Sequence, residues 1–215
     1  MNMNNQVIQE GKKVTHNFTI KASAEDVFLL VCPLMEYRWI KGWKCELIYL
    51  PNGKNEKGCV FSEIMSAPFL IGNINGKTMW TTVFFDPLNY QVHFKLDNKI
   101  SSSLYKIEMS RESDNTTVCN LEFTYAPTNA RGSKLLNQKG ESKIRFLIEA
   151  LGTMLKYYSE TGKMYTPDST SHFFIYIKDF TKADKLRLLL NKLTMYLSAD
   201  RNKKLFLAGK AVYKK

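Results

Sequence analysis

The stretch C-N-L-E-F-T-Y at residues 119–125 alternates apolar and polar side chains, which is typical of a strand with one dry face and one wet face. The pattern then changes. The stretch E-S-K-I-R-F-L-I-E-A-L-G-T-M-L-K-Y-Y-S-E at residues 141–160 repeats apolar residues every three or four positions. This repeat predicts a long amphipathic helix, which Gly162 is placed to end. We expect the dry sheet face and the apolar helix stripe to pack against each other, because neither can leave that much apolar surface in water.

Upstream of this point the sequence predicts a first strand, two short helical segments and a run of further strands. Ser23 is placed to cap the first helical segment, and the second carries Trp39 and ends at Gly42. Strand-like patterns occupy residues 14–20, 45–50, 59–66, 77–85, 90–97, 105–110 and 119–125. A run of antiparallel strands with segregated helices indicates an α+β domain.

The chain of 215 residues divides into three predicted parts. Residues 1–11 form a flexible N-terminal tail, residues 12–162 form the folded domain, and residues 163–215 form a basic, largely helical C-terminal extension. Lys and Arg outnumber Asp and Glu by 11 to 3 in residues 178–215 and by only 20 to 17 in the rest of the chain. The basic character therefore belongs mainly to the extension, and a nucleic-acid surface on the main domain is not expected.

The extension also carries a leucine-rich helical stripe that is too apolar to stand alone in water. We expect it to pack on its own domain or on a second copy of the chain, which would give a homodimer. Docking on an anionic membrane surface is the alternative, because clustered Lys and Arg near anionic lipid contribute about 1 kcal/mol each. Nucleic acid is an unlikely partner, since no reading motif accompanies the basic residues.

The cysteines and histidines give no sign of a metal site. None of the four cysteines is spaced as C-x-x-C, and the three histidines are scattered. The sequence indicates no cofactor. The N-terminus lacks a signal-peptide core and no apolar run has membrane-spanning length, so we expect a cytoplasmic protein with reduced thiols.

Four motifs, in this order, resemble the SRPBCC superfamily, which includes START lipid-transfer domains, pollen-allergen-like proteins and polyketide cyclase/dehydrase-like proteins. They are I-K-A-S-A-E-D-V-F at 20–28, W-I-K-G-W at 39–43, G-C-V-F at 58–61 and M-W-T-T-V-F-F-D-P at 79–87. The resemblance covers about residues 12–162. It implies a helix-grip fold, in which a curved antiparallel sheet wraps around a long C-terminal helix and a cavity lies between them.

A ligand in such a cavity would contact the dry sheet face and the apolar stripe of the helix. The candidate ligand-binding residues are Trp39, Phe61, Trp80, Phe94, Tyr105, Phe123, Ile148, Leu151 and Leu155. Ordinary core packing is the alternative for each of them. Trp39 and Trp43 either close one end of the grip or pack as core, and the sequence does not settle which strand face Trp80 uses.

Glu63 is the candidate catalytic residue. It shares strand parity with Phe61 and Met65, so an inward-facing register would place its carboxyl group in the pocket with a raised pKa or a polar partner. There it would orient a ligand or act as a general acid or base. In the opposite register, Val60 and Ile64 point inward and Glu63 is solvated.

Three functions are therefore open. The first is non-catalytic binding of a small hydrophobic or amphipathic ligand. The second, which resembles the cyclase/dehydrase branch, is an enzyme that uses the same cavity with Glu63 as acid or base. The third is an interaction protein that acts through its basic tail. The sequence contains no G-x-S-x-G elbow and no phosphate-binding loop.

Overall fold

The computed structural model describes residues 11–166 except residues 42, 54, 65–76 and 139. In this part of the chain, a single sheet of seven strands is followed by two helices. The elements are β1 (Lys12–Ile20), α1 (Ala24–Leu30), a 3-10 turn (Glu36–Arg38), β2 (Cys45–Tyr49), a second 3-10 turn (Pro51–Gly53), β3 (Val60–Ile64), β4 (Lys77–Asp86), β5 (Gln91–Asp97), β6 (Ser102–Ser113), β7 (Thr116–Tyr125), α2 (Ala130–Asn137) and α3 (Gly140–Thr161).

The strands lie in the order β1-β7-β6-β5-β4-β3-β2, and every neighbouring pair is antiparallel. The first and last strands are therefore neighbours, and β1 and β2 form the two edges of the sheet. Register shifts between Thr82 and Phe84 on β4 and between Arg111 and Ser113 on β6 interrupt the ladders. Such irregularities increase the local twist and bend of a sheet. The predicted α+β helix-grip architecture, with a curved sheet and a long C-terminal helix, is confirmed.

Helix α3 packs mainly on β1 and β7. It buries Ile144, Ile148 and Leu155 against the dry face of the sheet. Gly152 permits the closest approach, because a Cβ atom there would lie 2.7 Å from Cδ2 of His16 and 2.9 Å from Cε1 of Phe18. The helix ends as predicted at Gly162, which adopts a φ of 68° and donates its backbone N–H to the carbonyl oxygen of Tyr158 at 2.7 Å.

Helix α2 was not anticipated from the sequence. Asn129 caps it, and its side-chain oxygen accepts a hydrogen bond from the backbone N–H of Gly132 at 3.0 Å. A side chain at Gly132 would overlap the carbonyl oxygen of Ile100. The position of α2 therefore depends on a contact between segments that are far apart in sequence.

His93 on the wet face of the sheet is partly covered by its neighbours. Its side chain is only 19% exposed. Its ring stacks on Phe84 with the centroids 4.7 Å apart, and its Nε2 lies 3.1 Å from Oε1 of Glu108. The outer face of the sheet thus forms local contacts of its own.

Several predictions concern residues outside the described ones. They are the flexible tail at residues 1–11, apart from Gly11, the end of the second helical segment at Gly42, and most of the extension at residues 163–215. The boundaries of the three predicted parts also remain predictions. In the part that the structure describes, no helix is both long and apolar enough to cross a bilayer.

Candidate ligand cavity

A cavity of about 70 Å³ lies between the sheet and α3. Its lining comes from the first 3-10 turn, from strands β3 to β7, and from α3. The apolar part consists of Trp43, Trp80, Leu96, Phe123, Leu147 and Leu151. The polar part consists of Glu36, Glu63, Thr78, Asn98, Ser101, Ser103 and Tyr105.

The strand register explains why these side chains meet. Glu63 on β3 is opposite Thr78 on β4, and Leu96 on β5 is opposite both Trp80 on β4 and Ser103 on β6. Since strand side chains alternate between faces, residues two positions apart share a face. Phe61 with Glu63, Thr78 with Trp80, and Ser103 with Tyr105 therefore all point toward the helix side.

Trp80 lies at the centre of an aromatic cluster that forms one side of the cavity. Its ring centroid is 5.4 Å from that of Phe94, 5.9 Å from that of Trp43 and 6.2 Å from that of Tyr105. The interplanar angles are 61°, 88° and 85°, so the rings meet edge to face. This arrangement is favourable for aromatic pairs and fixes the orientation of the Trp80 indole.

The indole N–H of Trp80 points at Glu63. It donates a hydrogen bond to Oε2 of the carboxyl group at 2.6 Å. The other oxygen, Oε1, is buried and has no hydrogen-bond partner among the residues that the structure describes. Glu63 is only 1% exposed, and burial raises its pKa to about 8 even though the hydrogen bond from Trp80 acts to lower it. At neutral pH this residue is mainly a neutral carboxylic acid.

A second buried acid, Glu36, lines the same cavity from the first 3-10 turn. It is 3% exposed. Burial raises its pKa well above the ordinary value, and the nearby Glu63 raises it further. Two carboxyl groups therefore line one small cavity, and the charge of an ionised Glu63 opposes ionisation of Glu36.

The neighbouring acidic groups remain neutral over the physiological range. Burial raises the pKa of the Tyr105 hydroxyl well above its usual value, and Glu36 adds to this effect. Burial likewise raises the pKa of the Cys45 thiol, with smaller contributions from Glu36 and Glu63. Glu63, with its pKa of about 8, is thus the group at this site that can change charge near neutral pH, and we call Glu36 and Glu63 together the carboxyl pair.

Solved structures with this architecture are found across bacteria and plants. A START superfamily protein from Mycobacterium smegmatis matches 70% of this chain and 99% of its own, with a TM-score of 0.53 and 15% identity. The chain has the START-like helix-grip fold. A truncated norcoclaurine synthase from Thalictrum flavum matches 74% of the chain and 99% of its own, with a TM-score of 0.52 and 13% identity. An aromatase/cyclase from Streptomyces sp. R1128 matches 72% of this chain and 99% of its own, with a TM-score of 0.50 and 13% identity.

These likenesses confirm the resemblance to the SRPBCC superfamily at the level of the fold. No family model matches the sequence. No curated protein matches it significantly either. At such low identities the three structures carry information about architecture alone.

Five of the candidate residues line the cavity of the helix-grip fold, namely Glu63, Trp80, Tyr105, Phe123 and Leu151. The inward register of Trp80, which the sequence left open, is now settled. Phe61, Phe94, Ile148 and Leu155 are buried beside the cavity and do not appear in its lining. Their role as ligand contacts remains a prediction.

Trp39 and Trp43 have different positions. Trp39 is buried against α1, and its indole N–H donates to the carbonyl oxygen of Leu30 at 2.9 Å. Trp43 donates to the carbonyl oxygen of Pro33 at 2.7 Å, and its ring lines the cavity. The first hydrogen bond attaches the segment to the last residue of α1, and the second attaches it to the turn that follows this helix. Only the second tryptophan lines the cavity.

Sequence reasoning missed most of the polar lining. Glu36 had a detectable signal, because it lies three and four positions before Trp39 and Ile40 and so shares their helical face. Asn98 and Ser101 gave no such signal, since D-N-K-I-S reads as an ordinary turn. In the structure, the side-chain amide of Asn98 donates to Oγ of Ser101 at 2.9 Å and brings this turn to the cavity.

Metal binding has no support in the described part of the chain. No group of three or more His, Cys, Asp or Glu residues there has an arrangement that could hold a metal ion.

Proposed function

We propose that this chain binds a small apolar or amphipathic molecule in the cavity between its sheet and α3, without catalysing a reaction. The observation that carries the proposal is a largely apolar cavity with an unpaired, buried carboxyl oxygen on its wall. Apolar walls supply affinity by desolvation, and a few polar groups set the orientation of the ligand. Trp43, Trp80 and Leu151 would serve the first purpose, and Glu63 the second.

The size of the cavity restricts what it can hold. Drug-sized ligands occupy pockets of about 300–1,000 Å³, and an apolar cavity of about 150 Å³ is known to bind benzene. A volume of about 70 Å³ is smaller than either. The proposed ligand is therefore a molecule of few heavy atoms, or one end of a longer amphiphile.

Two leucines one helical turn apart on α3 provide a matched test. Leu151 is half-buried and lines the cavity, whereas Leu155 is 2% exposed and lies in the packed core. Leu155→Ala should lower the free energy of unfolding by about 2–5 kcal/mol. Leu151→Ala should cost less, because its side chain already borders empty space, and should alter ligand binding.

Native mass spectrometry of the purified full-length protein would reveal a co-purifying small molecule. We expect one bound molecule per chain in the wild type, and a changed occupancy in Leu151→Ala. Chemical denaturation of both variants gives the stability comparison. Equal stability losses in the two variants, with no small molecule bound to the wild type, would exclude a ligand cavity.

A second candidate function rests on the position and acidity of Glu63. A carboxylic acid with a pKa of about 8 is still protonated at neutral pH and is suited to proton donation inside an apolar cavity. An enzyme of this kind would use Glu63 as general acid or base, with the neutral Tyr105 hydroxyl in the same cavity lining.

Glu63→Gln distinguishes this enzyme from the binding module. The variant and the wild type would be expressed identically, and their bound molecules weighed by native mass spectrometry. An enzyme predicts different masses, because the variant retains the unreacted substrate. A binding module predicts the same mass in both.

The third hypothesis concerns the basic extension at residues 163–215. A homodimer through its leucine stripe and docking on an anionic membrane both stay predictions, since residues 167–215 lie outside the described part. Co-sedimentation with vesicles that contain or lack anionic lipid tests the membrane hypothesis. Equal binding to both vesicles would remove it.

A further inference from the structure

The lining of the cavity has an unbalanced set of charges. It contains the two acids of the carboxyl pair, and among the residues that the structure describes no Lys, Arg or His lines it. Buried carboxylates normally face a cation, because burial of an uncompensated charge is strongly unfavourable.

The acids also leave an acceptor unused. Oε2 of Glu63 accepts the Trp80 hydrogen bond, but Oε1 has no donor among the described residues, although the side chain is almost fully buried. An unsatisfied buried acceptor destabilises the folded protein, and more so when it is charged. A ligand that brings a donor to this oxygen recovers that cost on binding.

We infer that the cavity selects a primary alkylammonium group, which the carboxyl pair holds by ammonium–carboxylate contacts while the attached chain lies along the aromatic wall. The inference rests on the proposed binding function and names its ligand class. A primary ammonium carries a positive charge and three donors in a small volume, so it suits two carboxyl groups in a cavity of about 70 Å³. An anionic head group finds no charge compensation there, because no Lys, Arg or His among the described residues lines the cavity.

The aromatic lining supports the same assignment. Trp43, Trp80 and Tyr105 line the cavity together with the carboxyl pair. Tryptophan and tyrosine rings attract cations that lie within about 6 Å of the ring, and the attraction grows when water is excluded. A neutral ligand gains nothing from this second source of affinity.

Binding of the cation must be coupled to loss of a proton. Near neutral pH Glu63 is protonated, whereas an ammonium group is best held by a carboxylate. Glu36, Cys45 and Tyr105 are the other titratable groups around it, and burial raises the pKa of each. Amine binding should therefore release about one proton at pH 7. Below the pKa of Glu63, the dissociation constant of the amine should fall roughly tenfold for each unit by which the pH rises.

The test uses n-butylamine and n-butanol, which share a chain and differ in charge. The full-length protein is titrated with each by NMR, and the indole N–H signals are followed. The Trp80 indole donates directly to Glu63 and should shift on amine binding. The Trp39 indole donates to Leu30 outside the cavity lining and serves as an internal control.

We expect n-butylamine to bind at least tenfold more tightly than n-butanol at pH 8.5, which lies below the amine pKa of about 10.4 expected by analogy with lysine. The preference should shrink as the pH falls to 6. Glu63→Gln should lose the preference for the amine and keep the binding of n-butanol. Glu46→Gln, which removes an exposed carboxylate outside the cavity lining, is the matched control and should keep the preference.

The outcomes separate the two proposals. Equal or tighter binding of n-butanol at every pH, or an amine preference that survives in Glu63→Gln, would overturn the ammonium assignment and leave the binding function intact. No shift of the Trp80 signal with either molecule would overturn both.

Discussion

At Glu63, burial and hydrogen bonding act on the same carboxyl group in opposite directions. Donation from Trp80 at 2.6 Å stabilises the carboxylate, whereas removal from water stabilises the neutral acid. Burial dominates, and the pKa of Glu63 rises to about 8. Because the pKa of this group differs between the folded and the unfolded state, the free energy of unfolding depends on pH.

The direction of that dependence follows from proton binding. Between the ordinary pKa of 4.5 and about 8, the folded protein holds a proton on Glu63 that the unfolded chain has lost. Glu63 therefore stabilises the fold most below pH 4.5, and its contribution falls as the pH rises through 8, by at most about 1.4 kcal/mol per pH unit. Glu36 has a raised pKa as well and acts with the same sign.

Glu63→Gln should flatten this profile, because the amide keeps an acceptor for Trp80 and cannot ionise. We expect the variant to be more stable than the wild type at pH 9 and to differ less from it at pH 5. Urea unfolding at pH 5, 7 and 9 measures the difference. Parallel profiles for the variant and the wild type would show that Glu63 ionises normally in the folded state.

For Glu63, the sequence predicted a candidate role but not the strand face on which its side chain lies. Strand parity was enough to name Glu63 as an inward candidate, since Phe61 shares its face. It could not decide between the two registers, because both faces of β3 carry apolar residues. That choice depends on pairing with β4, where Thr78 and Trp80 point to the same side. Only the assembled sheet contains this information.

At the scale of elements, the contact of α3 with β1 depends on one missing side chain. A Cβ atom at Gly152 would lie within 2.9 Å of both His16 and Phe18, whose rings stack with centroids 4.9 Å apart. Two stacked rings cannot both move away easily. The glycine thus sets how near the helix lies to the edge strand.

Gly152→Ala should destabilise the protein in spite of its better helix propensity. The propensity gain is about 1 kcal/mol, whereas overpacking of a close contact costs about 1–3 kcal/mol. We expect a net loss of about 1 kcal/mol, measured by chemical denaturation. In a His16→Ala background the closest clash is gone, so the same substitution should cost less than in the wild type. An equal cost in both backgrounds would contradict this explanation.

The elements differ in how well the sequence predicted them. Strands β5 and β7 and helix α3 have long, regular patterns, so their type was correct and their ends were near the observed ones. Helix α2 has eight residues and a glycine inside it, which is too short and too irregular for periodicity to detect. Its position comes from packing of Gly132 on the backbone of Ile100, a contact that no local pattern encodes.

At the scale of the whole molecule, the sheet and α3 leave a space that neither fills. The helix packs mainly on β1 and β7, while the cavity extends over β3 to β7. A protein under selection for stability alone would gain by closing such a space, since cavities are costly. The proposed binding function accounts for the cavity and its unpaired acid as stability given up for binding.

On this view, a variant whose cavity is filled should keep its stability and lose its response to a ligand. Leu151→Phe places a larger side chain into the open space, so we expect an unchanged or higher melting temperature and no further rise on addition of n-butanol. The wild type should show such a rise, because a ligand that binds only the folded state stabilises it by mass action. Leu155→Phe is the matched control, since added volume in the packed core should cost about 1–3 kcal/mol. If Leu151→Phe were as destabilising as Leu155→Phe and the wild type gave no response to n-butanol, the space beside α3 would be ordinary packing, and the helix would close on the sheet without a functional cavity.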